Sequence, residues 1–468
     1  MTTRSDLYSR VFGKAVFPML DRINGTTINR KLHALLSTEQ TEPTELQAVQ
    51  ASKLSAAVRY SREHCDFYRS FWKNTRRGLP SLHAALEGLP VVTKEDLKAA
   101  GNAFPCPGYR GRVVVSRTSG STGSPMVFYR SMEQESWFWA IRLRMWSWAG
   151  YQPGDPYLAI NLNPRAGGRK RVQDVLFRCT YLTFNADNQD SRRIYELLAS
   201  NRARFINGFA SSLYVLARYM SEYGLSNPGV EGVMSTGDTL YPVYRETIER
   251  AFGTRVLDYY GAGGEGVHLA SQCPESGERY HVHPENAVLE ILGRDGPVPP
   301  GTPGRLVVTQ LDNDVMPLIR YEIGDVGVAA SEAARCECGR TLPMLESIGG
   351  RVPDLIVTRD GAFLVPHFFV VLFKNLQSVE VYQVIQKESE RIVIRLVGRT
   401  GVRRTDVEAT IRKEIGAATH DALTVGFEWV DEIPLSGAGK RRLVISDVAR
   451  NFLAGGNSDP TSPGGVSR

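Results

Sequence analysis

The sequence predicts an α/β protein in two parts: a large N-terminal domain with a helical entry region, and a small α+β C-terminal domain joined to it by a hinge. Three observations predict it. Apolar residues recur at helical spacing through the first hundred or so positions. From Val113 short β-branched runs alternate with helix-like stretches, and after a Gly-Gly-Arg step at Gly349 a second, smaller alternation begins. A chain of 468 residues also exceeds what one compact core usually supports.

In chain order, Glu45 to Glu63 places Leu46, Val49, Leu54, Ala57 and Val58 on one helical face. Strand-like runs follow at Val113 to Val115, Arg204 to Ile206, Val256 to Leu257 and Arg305 to Val308. Between them lie helix-like stretches at Glu133 to Trp148, Ser191 to Asn201, Ser212 to Tyr223 and Val243 to Phe252. Trp137, Trp139, Trp146 and Trp148 crowd one of these helices, and Arg142 and Arg144 interrupt it, which favours packing inside the protein over a membrane face. The later alternation runs through Leu355 to Val357, Val379 to Ile385 and Arg391 to Val397. The expected organisation is therefore 1–100 helical, 101–349 α/β, 350–454 a small C-terminal domain and 455–468 a disordered tail of Gly, Ser, Pro and Asn.

A hydrophobic fraction of 42% and a charged fraction of 23% are those of a soluble globular protein. No stretch approaches the roughly 20 apolar residues that span a bilayer, so no membrane insertion is expected. Met1 to Ser9 leads into no signal-like apolar core, and cytoplasmic residence is the default. The net charge of +6 comes from basic residues interleaved with acidic ones, which argues against a nucleic-acid partner. Arg165 to Arg171 is the local exception, read as an exposed loop, with contact to a phosphate-bearing ligand as the alternative. Six cysteines are too sparse for a disulfide scaffold.

The most informative segment is T-S-G-S-T-G-S-P at Thr118 to Pro125, between two strand-like runs. Gly120 and Gly123 free the backbone, and Thr118, Ser119, Ser121 and Thr122 add hydroxyl donors, which together suit a polyphosphate. It is not the P-loop of kinases, because no lysine follows and a strand comes next. The plain alternative is a Ser- and Gly-rich hairpin turn.

The loop resembles the phosphate-binding loop of the adenylate-forming superfamily, which includes acyl-CoA synthetases and adenylation domains. Four further segments agree in order. M-S-T-G-D at Met234 to Asp238 and Y-G-A-G-G-E at Tyr260 to Glu265 resemble the adenine-holding segments. The resemblance implies ATP or AMP contacts at Gly237, Asp238, Tyr260 and Gly261, and a magnesium-placing role for Glu265. R-Y-E-I-G-D at Arg320 to Asp325 resembles the segment whose aspartate, here Asp325, binds the ribose. G-R-V-P-D at Gly350 to Asp354 resembles the hinge, with Arg351 near the ribose. P-L-S-G-A-G-K at Pro434 to Lys440 resembles the loop that brings in the catalytic lysine. The segments K-L-S-A-A-V-R-Y-S-R-E-H-C-D-F-Y at Lys53 to Tyr68 and V-V-T-K-E-D-L at Val91 to Leu97 look like the phenylacetate-CoA ligase branch. The sequence departs from the pattern at Gly264, where Ser or Thr is usual, in a Tyr260 to Glu265 spacing one residue longer than usual, at Pro353 in the hinge, and at Asp238 in place of Glu.

The resemblance implies activation of a carboxylic acid as acyl-AMP with ATP and Mg2+, followed by transfer to CoA. The alternative acceptor is an amine, a hydroxyl or a carrier-protein thiol, in natural-product or surface-polysaccharide pathways. An inactive nucleotide-binding regulator is the reading from another class. Phe209, in N-G-F-A-S, is the candidate for the acid-binding wall.

A second constellation is metallic. Cys336 and Cys338 in C-E-C-G, with Cys273 and His281 upstream, offer four N/S ligands for a closed, structural Zn2+ site, and some members of the branch carry cysteines at these places. His283 rivals His281, because strand alternation puts both on one face. The alternative is thiols that bind no metal.

Overall fold

The computed structural model describes residues 7–73, 86, 88–101, 104–117, 126–161, 168–183, 188–331, 333–351, 356–358, 363–364, 368–369, 372–373, 376, 378–399, 401–433 and 443–448. The fold is mixed α/β, as the alternation of patterns predicts. The chain divides into two compact units. The first comprises Met1–Leu289, Val307–Ile323 and Ala329–Ser347, and the second comprises Glu290–Leu306, Gly324–Val328 and Ile348–Arg468.

Five parallel strands form the centre of the first unit, in the spatial order Cys179–Thr183, Tyr157–Asn161, Phe205–Phe209, Gly232–Thr236 and Val256–Ala262. The inner strands are buried on both faces, with alternate residues serving different cores, while the edge strand Cys179–Thr183 is only partly buried. Ile206 and Val233 point into a cluster with Leu213, Leu216 and Met220 of the helix Ala210–Glu222 and Ile248 of the helix Pro242–Phe252. Their neighbours Phe205 and Met234 point the other way, against Ile141, Met145 and Trp146 of the helix Met132–Trp148. That helix turns out to be packed nearly all round. Arg144 is fully buried and ion-paired with Glu285 at 2.6 Å, so the charge that interrupts the tryptophans lies inside the protein.

Beyond the parallel strands the sheet turns antiparallel: Val267–Ser271 pairs with Val256–Ala262 and with Tyr280–Val282, which pairs with the start of Met344–Arg351. The entry region is helical, including Pro43–His64 and Asp66–Phe71. Cys65 and Cys106 are joined by a disulfide, an isolated cross-link that the sparse cysteine count did not announce. Arg165 to Arg171 is not wholly a loop, since Gly168 opens the helix Gly168–Leu176.

The second unit carries a four-stranded sheet in the order Thr424–Trp429, Arg391–Gly398, Val379–Glu388 and Val444–Ser446. Arg391–Gly398 and Thr424–Trp429 are parallel, and the helix Arg404–Thr419 makes the crossover between them. Val407, Ile411 and Ile415 recur at helical spacing and pack on Ile392, Ile394, Leu396 and Val425.

Candidate active site and metal centre

The strands Val113–Arg117 and Val127–Ser131 form an antiparallel hairpin whose last pair is Arg117 with Val127. The Thr118 to Pro125 segment connects them and lies outside the described residues, but its anchorage is clear. The Ser116 hydroxyl donates to the Gly264 carbonyl at 2.5 Å, tying the root of this loop to the Tyr260 to Glu265 segment. Gln310 donates from its side chain to the Glu265 carbonyl at 2.9 Å, holding the same turn from another side. The turn closes tightly, with the Gly266 N–H donating to the Ala262 carbonyl at 2.8 Å. Gly266 has φ +78°, and a Cβ there would run into the Arg130 side chain, so glycine is required on both counts.

The parallel strands change direction of growth between Tyr157–Asn161 and Phe205–Phe209, and ligands in such sheets bind outside the carboxyl ends at this switch point. Phe209 ends one strand at that point, and Gly237 and Asp238 follow the end of the next. Gly237, at φ +82°, lies so close under the Phe209 ring that a Cβ would sit 2.4 Å from it. Asp238 accepts the Ser211 backbone N–H at 3.2 Å, at the positive N-terminal end of the helix Ala210–Glu222. Tyr260 and Gly261 lie near the end of Val256–Ala262, and the ladder to Val267–Ser271 slips between them, so that Gly261 faces His268 and Leu269 is skipped. Bulges of this kind re-aim side chains beside functional sites. Thus the structure brings Phe209, Gly237, Asp238, Tyr260, Gly261 and Glu265 to the carboxyl ends of adjacent strands and the turn that follows.

Residues missed by motif reading reinforce this region. Ser235 and Tyr280 donate to the two oxygens of buried Asp258, at 2.5 and 2.7 Å. Burial nonetheless pushes the Asp258 carboxyl up to about 6, against the hydrogen bonds and Arg245, which lower it. Arg142 donates to the Tyr259 hydroxyl, which donates to Asn207, both at 2.8 Å. His268 stacks on Phe138 at 4.1 Å and is kept neutral by burial and by Arg142 and Arg130. Apart from Ser235, which lies in the M-S-T-G-D segment, none of these carries a sequence signature; strand register and the packing of the helix Met132–Trp148 bring them together.

Asp325 lies in the strand Tyr321–Ala329 and Arg351 ends the strand Met344–Arg351, both in the second unit. The Arg351 side chain, Pro353 and the Lys440 loop fall outside the described residues, as does the tail from Gly455. Arg320, which opens the Asp325 segment, is buried; its guanidinium donates to the Leu89 carbonyl, and its own carbonyl accepts from Val92 N–H at 2.8 Å, so its part is structural.

The structure also brings Cys273, His281, Cys336 and Cys338 together, with ligand atoms all within 4.8 Å of one another. Cys273 Sγ lies 3.6 Å from Cys336 Sγ, and Cys338 Sγ lies 3.4 Å from His281 Nε2. A tetrahedral site with Zn–S near 2.3 Å has ligand–ligand edges of about 3.5–3.8 Å. The turn at Cys336 to Gly339 is closed by Gly339 N–H donating to the Cys336 carbonyl, with Gly339 at φ +77°. Burial, then the positive charges of Arg340, Arg144 and Arg279, push His281 down to about 4, leaving its imidazole neutral and able to ligate. Burial opposes ionisation of the Cys338 thiol, but the Arg340 N–H, Cys336 and the Arg340 guanidinium outweigh it and lower its pKa. His283 is engaged elsewhere, with Nδ1 against Arg144 and Nε2 3.0 Å from the Ser271 hydroxyl.

Comparisons with known proteins bear on this geometry. The family described as CapK C-terminal domain matches residues 356–447. Protein CapK of Staphylococcus aureus is 22% identical over 423 residues, covering 87% of this chain and 90% of its own length. The phenylacetate-coenzyme A ligase of Thermus thermophilus is 26% identical over 364 residues, covering 74% and 79%. Among solved structures, 2-hydroxyisobutyryl-CoA ligase in the postadenylation state, in complex with R3-HIB-AMP, superposes with a TM-score of 0.70 over 89% of this chain and 92% of its own. At 21% identity that likeness speaks to the fold alone.

Proposed function

From the premise that this chain belongs to the phenylacetate-CoA ligase-like branch of the adenylate-forming enzymes, we propose that it activates a carboxylic acid as its acyl adenylate and transfers the acyl group to CoA. The observation that carries the proposal is the Ser116–Gly264 hydrogen bond. It ties the root of the Thr118 to Pro125 loop, suited to phosphates, to the turn holding Glu265.

In this reading the acid's carboxylate oxygen attacks the α-phosphorus of ATP, forming one P–O bond as the bond to pyrophosphate breaks. Two anions meet, so the site must offset charge on the phosphates and the leaving group. Hydroxyl and N–H donors of Thr118 to Gly123 would bind the phosphates, and Lys440 would supply an ammonium to the α-phosphate. Glu265 would hold Mg2+, whose charge screens the phosphates when bound. Tyr260, Gly261, Gly237 and Asp238 contact the adenine side, and Asp325 and Arg351 hold the ribose, so that remote contacts position the reacting atoms. Phe209 lines the acid pocket. The CoA thiol then loses its proton and attacks the acyl carbon, and AMP leaves. The small C-terminal domain, 350–454, turns about the Arg351 to Asp354 hinge to serve the two steps.

The Cys273, His281, Cys336 and Cys338 tetrad holds a structural Zn2+ in this account: four N/S ligands leave no position for water, and the tetrad's spacing and neutral imidazole fit that ion. The match of residues 356–447 to the CapK C-terminal domain favours one alternative, delivery of the acyl group to another acceptor in a surface-polysaccharide pathway. A pyrophosphate-release screen over aromatic, fatty and amino acids, run with and without CoA, tests both. Acid-dependent release with a CoA thioester product supports the first reading. Acid-dependent release without thioester supports the second, and no acid-dependent release contradicts both.

A further inference from the structure

The first turns of the chain present a face that the proposed chemistry does not use. The helical run through Leu7–Val11, Phe12–Val16 and Phe17–Asn24 fixes its inner side with Phe12 and Phe17, which pack in the core beside Phe177. That inner side leaves an apolar stripe outside. Leu7 is 78% exposed, Val11 52%, Met19 54% and Ile23 67%, four residues apart with Ala15 in the gap. Such residues are rarely left together in water unless they meet something apolar.

The charges along this run are one-sided. Arg10, Lys14 and Arg22 are exposed beside the stripe, while the one acid, Asp21, is buried and turned inward. Asp21 accepts from the backbone N–H groups of Ile28 and Asn29, at 3.0 and 2.9 Å, capping the next helix. Arg112 lies at the far end, donating to the Asn24 carbonyl at 2.8 Å. At the near end the Tyr8 hydroxyl donates to the Leu176 carbonyl, joining the helix Gly168–Leu176, whose Val172 and Val175 are 60% and 76% exposed. Asp174 of that helix is half-buried and engaged with a neighbour. The basic tract Arg169 to Arg171 belongs to its first turn by sequence.

We propose that this surface rests on an anionic membrane, with Leu7, Val11, Met19 and Ile23 entering the headgroup–acyl boundary and Arg10, Lys14 and Arg22 meeting lipid phosphates. An amphipathic helix of this make-up lies in the plane of the interface and does not cross the bilayer. Among the described residues no helix is long and apolar enough to cross a membrane. The basic row selects an anionic surface over a second copy of the same chain, because two such faces would repel. Each basic side chain near an anionic surface strengthens binding roughly fivefold.

Co-sedimentation of the full chain with vesicles tests this, comparing phosphatidylcholine alone with phosphatidylcholine containing about 30% phosphatidylglycerol, a strongly anionic surface. The protein binds the anionic vesicles and not the neutral ones, and raised salt releases it. Met19→Glu with Ile23→Glu, and separately Arg10→Gln with Lys14→Gln and Arg22→Gln, each lower the partition coefficient at least about tenfold. All these side chains are exposed, so an unchanged melting temperature confirms that both variants fold. Equal sedimentation with neutral and anionic vesicles, no sedimentation with either, or undiminished binding by both variants overturns the proposal. So does a solution mass, by light scattering, showing a dimer that the Glu variants split, which would make a second copy the occupant.

Discussion

The Ser116 hydroxyl donates to the Gly264 carbonyl at 2.5 Å and so joins two segments 148 residues apart: the hairpin carrying the Ser- and Gly-rich loop, and the turn carrying Glu265. Gly264 stands where relatives of this superfamily usually have a hydroxyl residue. The Ser116 hydroxyl, from the separate hairpin, donates to the backbone carbonyl of that residue and so fixes the turn. A single such bond contributes about 0.5–1.5 kcal/mol to stability. Ser116→Ala is expected to shift the melting temperature little and to raise the KM for ATP several-fold, with Ser116→Thr close to wild type. Steady-state kinetics at saturating acid check this; an unchanged KM for ATP in Ser116→Ala removes the positioning role.

Gly237 under Phe209 predicts a strained substitution. Gly237→Ala places a side chain at φ +82° and 2.4 Å from the ring, so it must both adopt a left-handed conformation and displace Phe209. A loss of about 1–3 kcal/mol is expected in urea unfolding. Phe209→Ala in the same background should recover only the steric part, because the backbone strain stays.

For the metal centre, one zinc per chain is expected in the purified protein. Cys336→Ser with Cys338→Ser, or His281→Ala, should abolish it and lower the melting temperature, since a structural metal's binding free energy is folding free energy. His283→Gln separates the two histidines. It disturbs the contacts to Arg144 and Ser271 and costs stability, but zinc stays stoichiometric. Zinc lost in His283→Gln and kept in His281→Ala would reverse the assignment.

The two-part α/β fold was legible because period-2 and period-3.6 patterns survive in the sequence wherever one face is buried. The stretch Glu133 to Trp148 was legible as a helix, but the fate of its charges was not. That Arg144 is buried against Glu285 depends on a partner 141 residues away. The cysteine tetrad could be gathered from spacing, yet the choice between His281 and His283 needed the register that pairs His281 with Met344 and turns His283 to Arg144. Asp258 and Arg142 bear no motif at all, and Asn207 was read only as a neighbour of Phe209. Asp258 meets Ser235 and Tyr280 across the sheet, and Tyr259 joins Asn207 to Arg142 of the helix Met132–Trp148, through contacts 22 to 117 residues apart in sequence.

Asp258 carries a pH dependence. Its folded pKa, about 6, lies above its ordinary value of 3.8, so the folded state holds this proton more tightly than the unfolded chain. The contribution to stability is full below pH 4 and is lost as pH rises through about 6. With about 1.4 kcal/mol per pKa unit, the loss is on the order of 3 kcal/mol. Asp258→Asn cannot titrate, so the stability difference, wild type minus variant, should fall by this amount between pH 4 and 7. A difference that stays constant with pH contradicts the shift.

The central claim is that this chain joins an acid to AMP, and isotope exchange between pyrophosphate and ATP tests it with no acceptor present. With ATP, Mg2+ and the matching acid, label should enter ATP only when the acid is supplied, because the adenylation step alone runs backwards. Lys440→Ala should slow that exchange about 10²-fold or more, the scale for removing a charge that stabilises a transition state. Arg441→Ala, which changes the net charge equally, should leave it near wild type. Exchange that needs no acid, exchange absent across the whole acid panel, or Lys440→Ala and Arg441→Ala behaving alike would contradict the account.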